Sequence, residues 1–220
     1  MVLEQVAFDI ETTGFGVDDE VTVAGFAVPM GVQVFLQTGD RPARDVQASV
    51  QEQVPVHVDV STHTSEQGLL AAVTGFVEER LSGSDVLLVA YNGERWNGGF
   101  DVPFLRTRYA KLDLPWPFVD IPYADVMPLV SNRFNTTVDG DDRQDLGSAY
   151  NLLCGGEYGD VDPFDGSDAA VAAFGSGWFA ELVQHNVADV LRTRELGRVA
   201  ERYCSKSEFQ VKSLTPTREV

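Results

Sequence analysis

A mixed α/β sheet flanked by helices is the fold class this sequence predicts, and three observations predict it. Short apolar and β-branched runs, VAFDI at 6–10, VTVAGFAV at 21–28, VQVFL at 32–36 and DVLLVAY at 85–91, have the length and composition of strands. Segments with apolar residues at helical spacing lie between and after them. Hydrophobic residues make up 44% and charged ones 23% of the 220, which suits one domain with a sizeable core.

Taken in order, Val6 to Ile10 is a buried strand. Val21 to Val28 and Val32 to Leu36 flank Pro29-Met30-Gly31 and read as a hairpin. Gly39 to Pro55 is polar and irregular, and reads as a loop. Glu66 to Leu81 carries Leu69, Leu70, Val73, Phe76, Val77 and Leu81 at helical spacing, with Gly83 as the stop. Asp85 to Tyr91 is another buried strand, ended by Asn92-Gly93. Asp101 to Lys111 reads as a helix and Phe118 to Ile121 as a short strand. From there the chain is mainly helical: Asp145 to Leu153, Ser167 to Phe174, and Gly177 to Tyr203, where Leu182, Val183, Val190 and Leu196 mark a packed face. Gly155 to Gly166 is a Gly/Asp-rich loop. The expected domain spans 1–204, with 205–220 as a C-terminal tail.

No apolar run approaches the roughly 18 residues of a membrane span, and Met1 to Asp9 holds Glu4 and no basic residue, unlike a secretory signal. A soluble cytoplasmic protein is the expectation. Cys154 and Cys204 stand far apart in no metal-binding spacing, so two buried free thiols are expected rather than zinc. The formal net charge is −18, and of 16 basic residues three are Lys and 13 Arg. Such a surface repels phosphates at low salt. It suits a halophilic protein working in molar salt, where the Debye length is about 3 Å and repulsion beyond first contacts is screened. A simply acidic domain is the alternative.

Three constellations can carry chemistry. In Phe8-Asp9-Ile10-Glu11-Thr12-Thr13-Gly14, Asp9 and Glu11 are two apart on a strand and share a face. Paired carboxylates among apolar neighbours resist ionising together unless a divalent cation lies between them, and Mg²⁺ takes a few carboxylates plus waters and phosphate oxygens. A strand-end Asp stabilising the turn at Gly14 is the structural alternative. In Tyr91-Asn92-Gly93 and Phe100-Asp101-Val102-Pro103-Phe104-Leu105 a strand ends, a loop follows and Asp101 opens a helix, which an ordinary N-cap also explains. In His185-Asn186-Val187-Ala188-Asp189, His185 and Asp189 are four apart on one helical face. A surface helical pair looks the same. Asp160 to Gly166 reads as a turn leading to a Ser167 N-cap, and Asp139 to Asp142 as a solvated acidic loop.

In this order, FDIETTG, NG…FDVPFL and HNVAD resemble the three exonuclease motifs of the DEDD superfamily of RNase H-like 3′–5′ exonucleases. The resemblance spans Asp9 to Asp189 and is nearest to the proofreading domain of family B DNA polymerases. It implies an RNase H-like fold, an enzyme that hydrolyses phosphodiester bonds of DNA or RNA, and a nucleic-acid partner with a single-stranded 3′ end. It implies two Mg²⁺ or Mn²⁺ ions held by Asp9, Glu11, Asp101 and Asp189, with Asp9 shared between them. His185 falls where the family places the group that orients or deprotonates the attacking water. One subgroup has Tyr four residues before the last Asp and another has His five before; this chain has His at the tyrosine spacing. Thr12, Thr13, Phe15, Asn92 and Phe100 are the candidates to touch the terminal nucleotide, although core packing suits Phe15 and Phe100 about as well. A nucleic-acid-binding module without activity and a structure-specific endonuclease on the same fold are the alternatives.

Overall fold

The computed structural model describes residues 3–83, 85–94, 101–156, 158–164 and 166–218. Its centre is a seven-stranded sheet of β1 (Glu4–Thr12), β2 (Val21–Val28), β3 (Gly31–Gln37), β4 (Val58–His63), β5 (Val86–Ala90), β6 (Pro122–Asp125) and β9 (Lys212–Ser213), in the order β4-β3-β2-β1-β5-β6-β9. Strands β1, β2 and β3 run antiparallel in sequence, while β3–β4, β1–β5 and β5–β6 are parallel pairs. Helix α1 (Val46–Gln53) links β3 to β4, and α3 (Asp101–Lys111) links β5 to β6, as parallel pairing requires. A mixed sheet with helices on both faces is compatible with an RNase H-like fold.

Period-two alternation along β1 sorts its side chains between two cores. Val6, Phe8 and Ile10 join the core beneath α2 (Glu66–Phe76) and α3. Ala7 faces the opposite core, built mainly by α7 (Phe179–Tyr203) with α1, α4 (Met127–Arg133), α5 (Leu146–Leu153) and α6 (Ser167–Ser176). Asp9 and Glu11 have the parity of Ala7, so they emerge beside α7. The long helix is seated on β1 by polar contacts as well as apolar ones. Gln5 Nε2 donates to the Gly197 carbonyl at 3.2 Å, and Asn186 Nδ2 to the Asp9 carbonyl at 3.2 Å.

Most strands and helices lie where the sequence puts them, and the exceptions have physical reasons. The expected loop at 39–55 contains α1, whose inward stripe is only Val46, Val50 and the following Val54, all buried. Strand β4 is a short edge strand that buries only Val58 and ends in the polar run Ser61-Thr62-His63, so its sequence signal is weak. The strand expected at Phe118 to Ile121 lies four residues later, at β6, while Phe118 and Ile121 pack into the core ahead of it. The Asp139 to Asp142 loop is the tip of a small ribbon, β7 (Thr137–Val138) with β8 (Asp141–Asp142). Gly166, not Ser167, holds the cap position of α6. Residues 205–214 pack back on the sheet, with β9 pairing β6 and Phe209 and Leu214 buried. Cys154 and Cys204 are free but half-buried, not fully buried. No helix among the described residues is long and apolar enough to cross a membrane.

A buried ion pair ties the two helices of the second core together. Arg108 on α3 meets Glu66 on α2 through Nη2–Oε2 at 2.6 Å and Nε–Oε1 at 2.8 Å, with the two residues 6% and 4% exposed. Glu66 Oε1 also accepts from the Val21 amide at 2.8 Å, and Arg108 Nη1 donates to the Val17 carbonyl at 3.2 Å. The loop that follows FDIETTG is thereby pinned to the scaffold.

Candidate active site

Asp9 and Glu11 come from the end of β1, Asp101 from the first turn of α3, and His185 and Asp189 from one face of α7. All five line one cleft of about 930 Å³ at the edge where β1 and β5 end. The register of β1 on β2 shifts between Glu11 and Thr12, an irregularity of the kind that re-aims side chains beside active sites. Opposite Asp9 on β2 stands Gly25. A methyl group there would overlap the Asn186 side chain, so the glycine lets α7 approach and Asn186 Nδ2 donate to Asp9 Oδ2 at 2.9 Å.

The four carboxylates sense one another strongly. Burial, then the charges of Asp101, Glu11 and Asp189, raise the Asp9 pKa well above the ordinary range. Asp101 is raised likewise, by burial first and then by Glu11, Asp125 and Asp189. Burial lifts Glu11 to about 7 against the opposing pull of His185. Asp189 is raised by burial despite the favourable charges of His185 and Arg192. Without a cation the cleft therefore holds carboxylates that cannot all ionise cheaply.

His185 is held on both sides. Its Nδ1 lies 2.7 Å from Asp162 Oδ1, and its Nε2 lies 3.8 Å from Glu11 Oε1 and 3.9 Å from Asp189 Oδ2. Burial disfavours a charged ring, but the Asp162 hydrogen bond and the Glu11 and Asp189 charges outweigh it and lift its pKa to about 9. Arg192 Nη1 bridges Asp162 Oδ2 at 2.8 Å and Asp189 Oδ1 at 3.1 Å. Its remaining nitrogens bond the Tyr158 and Gly159 carbonyls. The loop before α6 is thus clamped to α7.

The residues expected to touch a nucleotide divide. Phe15, 58% exposed, and Asn92 line the cleft. Asn92 has φ +63° and an amide tied to Asp125 Oδ1 at 2.9 Å. Thr12 also borders it, although its hydroxyl donates to the Gly14 carbonyl at 2.7 Å. Thr13 is engaged in the turn, donating to Asp19 Oδ1 at 3.0 Å, and does not line the cleft. Phe100 lies outside the described residues. Sequence reasoning missed Asp162, Asn186 and Arg192. Arg192 was findable, because it stands three residues after Asp189 and seven after His185 on the same helical stripe. Asp162 was read only as part of a turn, and nothing local distinguishes Asn186.

Carboxylates with one imidazole on a concave surface are ligands that divalent cations take, and Asp9 and Asp101 line the same cleft as the group of three that comes closest together. One oxygen or nitrogen from each of Glu11, His185 and Asp189 lies within 4.8 Å of the others. No protein-family model matches the chain, and no curated protein matches it.

Proposed function

We propose that this chain is a metal-dependent exonuclease that hydrolyses phosphodiester bonds of a nucleic acid from its 3′ end. The observation that supports the reading is the convergence of Asp9, Glu11, Asp101 and Asp189 on one open cleft, in the chain order the sequence motifs carry. Divalent cations held by these carboxylates supply charge neutralisation and Lewis acidity toward a phosphate and a water. The chain's own residues do the positioning. Asn186 fixes Asp9, Arg192 fixes Asp189, and exposed Phe15 offers an aromatic face on which a terminal base can stack.

The test is digestion of 3′- and 5′-labelled single-stranded DNA and RNA, linear and circular, with Mn²⁺ or Mg²⁺ in molar KCl. A ladder shortening by single nucleotides from the 3′ end is expected, abolished by chelator and by Asp189→Asn. Cleavage of circles would identify an endonuclease. Binding without cleavage under every metal condition would identify a non-catalytic module.

A further inference from the structure

We propose that His185 is itself a metal ligand, through Nε2 and together with Glu11 and Asp189, and that Asp162 is the residue that presents it. The inference rests on the reading of the cleft as a divalent-cation site and goes beyond it, because the resemblance gives the residue at this place a role with water.

The chemistry of Asp162 comes first. An ionised carboxylate only accepts hydrogen bonds. With Asp162 Oδ1 2.7 Å from Nδ1, the ring proton belongs on Nδ1 and the neutral ring must carry its lone pair on Nε2. That nitrogen makes no hydrogen bond among the described residues, yet the ring is only 6% exposed. Nε2 faces the cleft between Glu11 Oε1 at 3.8 Å and Asp189 Oδ2 at 3.9 Å, a position that a proton fills in the metal-free protein and that a cation, displacing the proton, can fill in its place.

The ring is also held still. Phe164 packs against it with centroids 5.5 Å apart, and Arg192 fixes Asp162 from its other oxygen at 2.8 Å. Gln184 on α7 further anchors this loop by bonding the Val161 carbonyl. A carboxylate accepting from one imidazole nitrogen while the other ligates is how metal-bound histidines are oriented. Spacing of four along a helix brings two ligands onto one face, which is the relation of His185 to Asp189. A mixed nitrogen and oxygen site favours Mn²⁺, Co²⁺ or Zn²⁺ over Mg²⁺, which prefers oxygen throughout.

Pulsed electron paramagnetic resonance of Mn²⁺ bound to the full chain, with titrations of Mn²⁺ and Mg²⁺ in molar KCl, tests this. Imidazole ¹⁴N modulation is expected in the parent and absent in His185→Ala. Mn²⁺ affinity should fall about 10–100-fold in His185→Ala and Asp162→Ala, with a smaller loss in Asp162→Asn, which keeps a neutral acceptor. Mg²⁺ affinity should change several-fold less. If Asp162→Ala does not fold, the parent and His185→Ala spectra decide alone. Mn²⁺ binding that is lost in Asp189→Asn but shows no ¹⁴N modulation would overturn the ligand role and leave the cation site standing. Modulation that survives in His185→Ala overturns it too. No saturable Mn²⁺ binding would sink both this proposal and the reading of the cleft.

Discussion

Asn186 reaches Asp9 across the space that Gly25 leaves open, its Nδ2 donating to Asp9 Oδ2 at 2.9 Å. The absence of one side chain on β2 thus sets the distance between α7 and the carboxylate on β1. Gly25→Ala should force Asn186 aside and cost about 1–3 kcal/mol through overpacking. It should lower metal affinity and turnover more than another surface-neutral change does. Chemical denaturation with a parallel Mn²⁺ titration checks both. A variant as stable and as tight as the parent would mean that the close approach has slack.

The Glu66–Arg108 pair predicts a purely structural defect. Glu66→Gln leaves a guanidinium in a nearly dry site with its charge uncompensated, and removing one partner of a buried pair costs about 3–5 kcal/mol. Because Arg108 also holds the Val17 carbonyl, the loop carrying Phe15 should loosen. The expected result is a lower melting temperature and faster amide exchange at 13–20, with cation affinity retained. Unchanged exchange in that loop would remove the link to Phe15.

Acidity of the surface predicts a salt requirement. At 0.01 M salt the Debye length is about 30 Å, so the −18 net charge repels itself across the whole domain. The melting temperature should rise steeply from low to molar KCl. A flat profile would separate the acidic surface from any adaptation to salt.

The sheet and the long helix were legible because strong local signals agree with the fold: β-branched runs at β1, β2, β3 and β5, and an unbroken amphipathic stretch at α7. Helix α1 and strand β4 were not, since each buries few side chains at the sheet edge and their polar residues look like loop. The carboxylates were legible as motifs, and the side-chain alternation of β1 put Asp9 and Glu11 on one face. What holds them was not. Asp162 meets His185 from 23 residues away and Asn186 meets Asp9 from 177 away, contacts that only tertiary structure creates.

Acidic crowding in the cleft sets the sign of the pH dependence. Glu11 has an ordinary value of 4.5 but titrates at about 7 in the folded protein. Below pH 4.5 it is protonated in both states and costs nothing. As pH rises toward 7 the unfolded chain ionises first, so stability is lost progressively and the full penalty applies above 7. Asp9, Asp101 and Asp189, raised in the same direction, add to the loss. His185, protonated up to about 9, contributes stability below its ordinary value that disappears as pH climbs through 9. Among the shifted groups lining the cleft, Asp162, whose pKa is lowered, works the other way, and its contribution is lost only in stronger acid; away from the cleft, His63, lowered by burial, costs stability in acid and opposes the trend as pH rises. The metal-free protein should therefore melt lower at pH 8 than at pH 5.5; at about 1.4 kcal/mol per pKa unit the Glu11 penalty totals on the order of 3 kcal/mol, of which about 2 kcal/mol develops between these two pH values. Asp9→Asn should flatten this slope and raise the melting temperature of the metal-free protein at pH 8 while abolishing cleavage, because the amide keeps the shape and removes a like charge. Mn²⁺ should raise the melting temperature far more at pH 8 than at pH 5.5, where protons compete for the same oxygens. Differential scanning calorimetry in constant molar KCl, with and without Mn²⁺, reads all three. A metal-free protein that grows more stable from pH 5.5 to 8 would mean that the carboxylates are not crowded, and the case for a cation between them would fall with it.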